Sequence, residues 1–164
     1  MMDHSTVLAL ALLRNVSVNA PAEPSDPQDH LRAIQAEAHP FCFVCSASNP
    51  MGLALRYSVQ PDGSVAATFL GNCTLEGYSG LLHGGVIAAL LDGAMTNCLF
   101  ARGLPALTVE LKVRYHESVQ AAEEVAIRAW LEDDARGLYQ LRSELRQDGK
   151  TKVSGSAKFM MRHE

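Results

Sequence analysis

Residues 84–100 read GGVIAALLDGAMTNCLF, and this stretch decides the fold of the chain. It predicts a single α-helix of about four to five turns. Apolar side chains recur on nearly every face of that helix, so it has no polar side to turn towards water. A helix of this kind must be enclosed by other elements rather than laid on a surface. The rest of the chain therefore has to supply a layer that wraps it.

Six further segments have the pattern of β-strands, and they cover residues 52–60, 64–70, 107–115, 125–131, 138–145 and 152–161. The first two flank Pro61-Asp62-Gly63 and the last two flank Asp148-Gly149, which are turn sequences typical of hairpins. The segment from Leu107 to Tyr115 alternates at strict period two, which predicts a half-buried strand with one apolar face. Two strands, one long helix and four strands make an α+β chain. One antiparallel sheet curling around the helix would enclose it.

The composition of the 164 residues, with 48% apolar and 20% charged, is that of one ordinary globular domain. Lys and Arg number 14 against 18 Asp and Glu, so there is no basic surplus for binding a nucleic acid. The sequence has no run of about 18 apolar residues that would span a membrane. Four scattered cysteines are too few for a disulfide-stapled secreted fold, which predicts reduced thiols and a cytoplasmic location.

The first 39 residues differ from the rest. The apolar stretch at 7–13 has no basic segment before it, which argues against a cleaved signal peptide. Residues 19–27 are rich in proline and predict a linker. Asp26 and Pro27 predict the start of a short helix that runs to about residue 38. We expect residues 1–39 to form an N-terminal extension and residues 40–164 to form the domain.

Asp92 is the only charged residue between His83 and Arg102. Burying a lone carboxylate among apolar side chains costs on the order of several kcal/mol unless it is paired, hydrogen-bonded or protonated. Burial also raises the pKa, which makes the carboxylate a better base near neutral pH. The residues alone leave two interpretations open, because Asp92 either acts on a substrate or lies on a solvated stripe and caps a neighbouring loop.

Gly84 and Gly85 open the helix, where a ligand can approach unpaired backbone N–H groups and the positive end of the dipole. This suits a carbonyl oxygen that gains negative charge during a reaction, although a glycine pair there is often only a turn. Gly84 and Asp92 are eight residues apart, which is about 12 Å of helical rise. One carbonyl cannot contact both groups of one chain. If both act on it, they come from two copies, which predicts a homodimer with two symmetric sites.

Two threonines are candidates for assisting Asp92. Thr96 lies one turn further along the same helical face and either holds a water for Asp92 or bonds back to its carbonyl. Thr108 begins the strand after the helix and either faces the site or is an ordinary β-branched strand residue.

Residues 80–94 read GLLHGGVIAALLDGA and residues 102–115 read RGLPALTVELKVRY. Both stretches resemble the hotdog-fold acyl-CoA thioesterases of the 4-hydroxybenzoyl-CoA and phenylacetic-acid-pathway (PaaI) type. Upstream, CFVC at 42–45 and NPMGL at 49–53 are similar to a subgroup related to the mammalian thioesterase-superfamily members. The resemblance covers about residues 40–162. It implies a hotdog fold, in which an antiparallel sheet wraps one long central helix.

The same resemblance implies roles for individual residues. Asp92 corresponds to the catalytic base or nucleophile, Gly84 to the N–H donor for the thioester carbonyl, and His83 to the histidine that shapes the loop. Thr108 and Thr96 correspond to hydroxyl residues that place water or substrate. These implied roles make Asp92 the expected centre of a catalytic site.

The chain departs from these relatives about six residues before the histidine. Many of them have Asn or Gln there, pointing at the substrate or water, whereas this chain has Gly77. Either Asn72, Glu76 or Ser79 replaces that side chain through a shifted loop, or the contact is missing. Gly77 is therefore the position in the predicted substrate-binding loop where a missing side chain would weaken catalysis.

The nucleotide end of CoA carries phosphates, so cations at the sheet edge and dimer seam are expected to bind it. Arg114 and His116 are the candidates, followed by Arg136, although the residues alone favour a solvated surface position for each. No metal is predicted at Cys42-x-x-Cys45, because a structural zinc site needs four ligands and His39 adds only a third.

The predicted function is hydrolysis of a small or medium acyl-CoA thioester by a homodimer, or by a tetramer formed from two such dimers, with no metal or organic cofactor. A non-catalytic acyl-CoA-binding hotdog domain is the alternative, which the missing Asn or Gln suggests. A hotdog hydratase fits less well, because the loop and helix lack the Asp/His pair that such chemistry needs.

Overall fold

The computed structural model describes residues 26–161. In this part of the chain the helices are α1 (Pro27–Ala38) and α2 (Gly84–Phe100), and a 3₁₀ turn covers Cys73–Leu75. The strands are β1 (Ser58–Val59), β2 (Val65–Leu70), β3 (Ala106–Tyr115), β4 (Glu124–Ala135), β5 (Leu138–Gln147) and β6 (Lys150–Met161). They form one sheet in the order β1-β2-β4-β5-β6-β3, in which every neighbouring pair is antiparallel. The predicted order of two strands, one long helix and four strands is confirmed.

Helix α2 lies against the sheet and contacts strands β2 to β6. Its middle and second half are enclosed, and Leu91, Met95 and Leu99 are each 0% exposed. Burying a side chain of this size contributes about 1.5–3 kcal/mol, so the contact between α2 and the sheet holds the core together. Although α2 is strongly apolar, no helix among the described residues is long and apolar enough to cross a membrane.

Helix α1 begins where the sequence predicts. The Asp26 carboxylate accepts a hydrogen bond from the N–H of Gln28 at 2.9 Å, and Pro27 stands at the first helical position. The Gln28 side chain donates to the carbonyl of Tyr57 at 3.2 Å and accepts from the N–H of Val59 at 2.8 Å. These bonds fasten α1 to the residues that lead into β1.

The domain boundary between residues 39 and 40 stays a prediction. Most of the predicted linker at 19–27, together with the apolar stretch at 7–13, lies outside the described residues. Helix α1 also contacts α2. The helical part of the predicted extension is therefore attached to the body of the domain.

The strand predicted at residues 52–60 is wrong over most of its length. Only Ser58–Val59 pairs with β2. The N–H groups of Leu53 and Leu55 donate instead to carbonyls of the loop at 43–44, at 2.7 and 2.8 Å. Alternating side chains indicate an extended backbone, but they do not specify which neighbour that backbone pairs with.

Both predicted hairpin turns are confirmed. The N–H of Gly63 donates to the carbonyl of Gln60 at 2.9 Å, which closes the turn before β2. Asp148 and Gly149 have φ angles of 52° and 72° between β5 and β6. Positive φ at both central residues is what a tight hairpin turn of this hand requires.

Strand β3 contains a bulge that its periodicity does not reveal. Thr108 is opposite Phe159 and Glu110 is opposite Lys158, so Val109 has no partner on β6. One unpaired residue exchanges the two faces of a strand. The odd-numbered apolar side chains of β3 therefore lie on one face of the sheet before Val109 and on the other face after it.

The prediction of one half-buried apolar face on β3 is wrong for this reason. Leu107 lies on the outer face opposite Met160, whereas Leu111 and Tyr115 lie on the inner face with Thr108. The inner face of β3 is also largely uncovered, because Leu111 is 37% exposed and Tyr115 is 51% exposed. The bulge is what allows Thr108 to face α2 together with these apolar side chains.

Candidate active site

The first turn of α2 has its hydrogen bonds arranged around Gly84. His83 is the N-cap, and its Nδ1 accepts a hydrogen bond from the N–H of Gly85 at 2.9 Å. The hydroxyl of Tyr115 donates to the carbonyl of Gly84 at 2.7 Å. Among the described residues no acceptor takes the N–H of Gly84. Of the two predicted donors, Gly84 is therefore the one that remains available to a ligand.

Gly77 lies directly against the histidine. A Cβ at Gly77 would be 3.2 Å from Cδ2 of His83, so a longer side chain there would displace the ring. The oxygen of the Asn72 side chain is already engaged, because it accepts from the N–H and the hydroxyl of Thr74 at 2.8 and 2.6 Å. The replacement of the usual Asn or Gln by Asn72, Glu76 or Ser79 stays a prediction.

Asp92 is half-buried in the middle of α2. The hydroxyl of Thr108 donates to its Oδ1 at 2.8 Å, which joins the helix to β3. Burial raises the pKa of the Asp92 carboxyl, while the hydrogen bond from Thr108 and the nearby His39 act to lower it. The first effect is the largest, so Asp92 has the character of a base with a raised pKa.

Removing the Thr108 hydroxyl is expected to move the acid limb of the pH profile. Thr108→Val keeps the shape of the side chain but removes a bond that stabilises the ionised form of Asp92. The pKa of Asp92 then rises further, so kcat/KM of a reaction in which Asp92 acts as the base should begin to fall at a higher pH than in the wild type. Thr108→Ser retains the hydroxyl and should keep the wild-type limb. An acid limb that stays in place in Thr108→Val would contradict the role of this bond.

The remaining predicted substrate-binding residues, His116, Arg114 and Arg136, do not all lie near Gly84. His116 borders a groove of about 380 Å³, which is also lined by Gly84, Ile87, Leu82 and Tyr115, the last of which was not predicted for the site. Arg114 is exposed on β3. Arg136 stands in the turn between β4 and β5, which is near the other end of β3. The structure therefore brings His116 close to Gly84 and separates Arg136 from Arg114.

Thr96 is buried one turn after Asp92. In the described part of the chain its hydroxyl makes no hydrogen bond to the carbonyl of Asp92, and its predicted role of holding a water for Asp92 stays a prediction. Of the two threonines, the structure brings only Thr108 into hydrogen-bonding contact with the carboxylate.

Two residues near Asp92 were not predicted for the site. The charge of His39 acts to lower the pKa of Asp92, and burial lowers the pKa of His39 itself. The hydroxyl of Tyr57 is buried without a hydrogen-bond partner among the described residues, and its pKa is raised by burial and by the charges of Cys45, Cys42 and Asp92. The sequence offered no signal for Tyr57, whereas His39 was visible only as a neighbour of the two cysteines.

The segment that carries Gly84, Asp92 and Thr108 is similar to known proteins. Residues 79–153 match the Thioesterase superfamily. Over 84 residues, or 49% of this chain, the sequence is 26% identical to the acyl-coenzyme A thioesterase THEM4 of Rattus norvegicus. That match spans 36% of the length of the rat protein. The predicted resemblance to thioesterases is confirmed, and the matched segment contains Gly84, Asp92 and Thr108.

Solved structures with the same architecture cover most of the chain. A thioesterase superfamily protein has 23% identity and a TM-score of 0.71 over 95% of this chain and 91% of its own. Zebrafish thioesterase superfamily member 2 has 19% identity and a TM-score of 0.65 over 82% and 95%. A hypothetical thioesterase of Streptococcus pneumoniae, solved with coenzyme A, has 17% identity and a TM-score of 0.62 over 67% and 87%. These likenesses confirm the predicted hotdog fold.

Proposed function

We propose that this chain hydrolyses an acyl-CoA thioester to a free acid and CoA. The observation that carries the proposal is the carboxylate of Asp92, which is half-buried in an apolar helix, has a raised pKa and is held by Thr108. An aspartate whose only role is contact with solvent would need neither this burial nor the hydrogen bond from Thr108. Its position inside the segment that matches the thioesterase superfamily supports a hydrolytic role for it.

In the proposed reaction the N–H of Gly84 donates to the thioester carbonyl and stabilises the negative charge on its oxygen. Asp92 either takes a proton from the attacking water or attacks the carbonyl carbon itself to form an anhydride that water then hydrolyses. In both routes the carbon–sulfur bond breaks, the CoA thiolate leaves and water supplies the new carboxyl oxygen. His83 holds the loop by accepting from Gly85.

The proposed site needs two copies of the chain. Gly84 and Asp92 stand at the start and the middle of α2, which separates them by about 12 Å along the axis. Strand β3 is one of the two edge strands of the sheet, and its inner face exposes apolar side chains that include Leu111. An exposed apolar edge of this kind is typical of a surface that a partner covers. A homodimer in which β3 meets a second copy would cover it and bring Gly84 of one chain towards Asp92 of the other.

The proposed substrate class follows from the relatives. The rat relative is named an acyl-coenzyme A thioesterase and the pneumococcal relative was solved with coenzyme A. The groove beside Gly84 and His116 is where we place the pantetheine end of the substrate. The four free thiols are consistent with the predicted cytoplasmic location.

The purified chain is expected to release free CoA from at least one member of a panel of short, medium and aromatic acyl-CoAs. The thiol that appears can be followed with a chromogenic disulfide reagent, and heat-denatured protein serves as the control. Saturable binding of acyl-CoAs without any release would contradict hydrolysis and favour the alternative of a non-catalytic binding domain. Gly77 supports that alternative, because the amide side chain that many of these thioesterases have at this position is missing.

A further inference from the structure

Three metal-ligating side chains meet where α1 ends and the following loop begins, and none of them lines the groove beside Gly84. The ligand atoms of His39, Cys42 and Cys45 all lie within 4.8 Å of one another, and all three residues are half-buried. Nδ1 of His39 is 3.7 Å from Sγ of Cys45. In a tetrahedral zinc site, bonds of about 2.0–2.3 Å place neighbouring ligand atoms about 3.5–3.8 Å apart. The pair of His39 and Cys45 already has this spacing, and the sulfur of Cys42 lies within 4.8 Å of both.

We propose that His39, Cys42 and Cys45 bind one Zn²⁺ ion. Two sulfur ligands and one imidazole are the donors that select zinc over magnesium or calcium, which prefer oxygen. The sequence predicted no metal because it counted three ligands where a closed structural site has four. Three protein ligands with a fourth position taken by water or another donor is an equally established arrangement for zinc.

The backbone around the cluster holds the ligands in place. His39 is the C-cap of α1, where its N–H donates to the carbonyl of Gln35 at 3.0 Å. Its ring stands edge-on against Phe100, with the ring centroids 4.8 Å apart. A zinc ion on this imidazole would therefore act at the junction of α1 with the end of α2.

The loop from residue 39 to residue 46 presents the two sulfurs. The N–H of Val44 donates to Sγ of Cys42 at 3.4 Å, which orients that sulfur. The N–H of Cys42 donates to the carbonyl of His39 at 3.3 Å, and the N–H of Ser46 donates to the carbonyl of Cys42 at 3.1 Å. These bonds fold the loop so that both thiols and the imidazole converge.

The buried hydroxyl of Tyr57 is a second and independent observation. It makes no hydrogen bond among the described residues, and Tyr57 lines one depression together with Cys45. A buried hydroxyl without a partner costs about 1–3 kcal/mol. A thiolate of the zinc site, or a water on the ion, would give this hydroxyl an acceptor.

An ion can reach the cluster from solvent. A depression of about 420 Å³ opens beside it, and its lining includes two of the three ligands, His39 and Cys45. Binding converts two thiols to thiolates, so each Zn²⁺ that enters should release two protons as the two Zn–S bonds form. The affinity should accordingly fall as the pH is lowered.

The test is zinc uptake by the full-length, fully reduced chain after treatment with a chelator. Zn²⁺ is titrated in competition with a chromogenic zinc indicator, and one tightly bound ion per chain is expected. Cys42→Ser and Cys45→Ser should each weaken binding by more than about 100-fold, which exceeds the usual effect of changing an outer-shell partner. Cys73→Ser is the matched control, because Cys73 is exposed and outside the cluster, and it should bind as the wild type does.

A measurement on the wild type alone keeps the proposal testable if a variant fails to fold. Zn²⁺ should protect Cys42 and Cys45 from alkylation, as mapped by mass spectrometry, and leave Cys73 as reactive as before. Equal alkylation with and without Zn²⁺ would overturn the proposal. So would reduced protein that takes up no zinc while Cys42 and Cys45 form a disulfide in air, because the pair would then be a redox site.

Discussion

Asp92→Asn is expected to lower kcat for CoA release by about 100- to 10,000-fold, which is the usual contribution of a positioned acid–base group. A larger loss would follow if Asp92 attacks the substrate itself, because the carboxamide is then unable to form the intermediate. The change is otherwise small. The asparagine oxygen can still accept the hydrogen bond from Thr108, which now reaches Oδ1 of Asp92 at 2.8 Å. The measurement is the initial rate of CoA release at saturating substrate.

Stability separates this loss of activity from a loss of folding. Burial raises the pKa of the Asp92 carboxyl, so the unfolded chain releases this proton at a lower pH than the folded chain does. The free energy of unfolding therefore decreases as the pH rises from the ordinary pKa of a carboxyl through the raised one, and the loss remains at neutral pH. Removing the charge should leave Tm unchanged or higher. Asp134→Asn changes an exposed carboxylate on β4 and should keep full activity. Unchanged CoA release in a well-folded Asp92→Asn would contradict the proposed role.

The central helix could be predicted from the sequence because its signal is local. An apolar run with one charge specifies both the helix and its enclosure, and α2 ends at the predicted Phe100. The hairpin at Asp148-Gly149 was equally visible, because few residues adopt positive φ. The strand at 52–60 failed because alternation records which way side chains point and not which strand the backbone joins.

The bulge in β3 shows a different limit. A single unpaired residue at Val109 leaves the composition of the strand unchanged, yet it determines that Thr108 faces Asp92. Period two from Leu107 onwards would have put Thr108 on the opposite face from Leu111. From sequence, the contact of Thr108 with Asp92 was therefore one of two open interpretations.

Residues far apart in the chain were the least predictable part of the site. His39 is more than fifty positions before Asp92 in the sequence, and only the packing of α1 against the end of α2 brings their charges near each other. No spacing rule connects two such segments. The spacing of Gly84 and Asp92 on one helix was different, because the geometry of a helix turns sequence separation directly into distance.

Gly84→Pro is expected to lower kcat by about 100- to 1,000-fold, which is the usual cost of removing one oxyanion donor. Proline removes the N–H of residue 84 and little else. Gly84 is the first residue of α2, where proline is well tolerated, and His83 has φ −61° and ψ 133°, which suits the residue before a proline. A Cβ at this position would be 3.4 Å from the hydroxyl oxygen of Tyr115, an ordinary contact. Gly84→Ala keeps the N–H and is the matched control, so it should retain most of the activity.

Combining the two inactive variants tests whether the site is shared between chains. A heterodimer of Asp92→Asn and Gly84→Pro, co-expressed with two different tags and purified by both, contains one site with Asp92 and Gly84 intact if each site takes them from different copies. It should then recover about half of the wild-type kcat per dimer. If each site used both residues of one chain, neither site would be intact and the heterodimer would be as inactive as its parents.

The recovery should depend on the dimer itself. Adding Leu111→Glu to both chains places a charge on the exposed inner face of β3 and should prevent association by desolvation and like-charge repulsion. Sedimentation velocity should then report monomers, and CoA release should not recover. Full activity in such monomers would contradict a shared site, because the helical rise alone keeps Gly84 and Asp92 of one chain too far apart to hold one carbonyl.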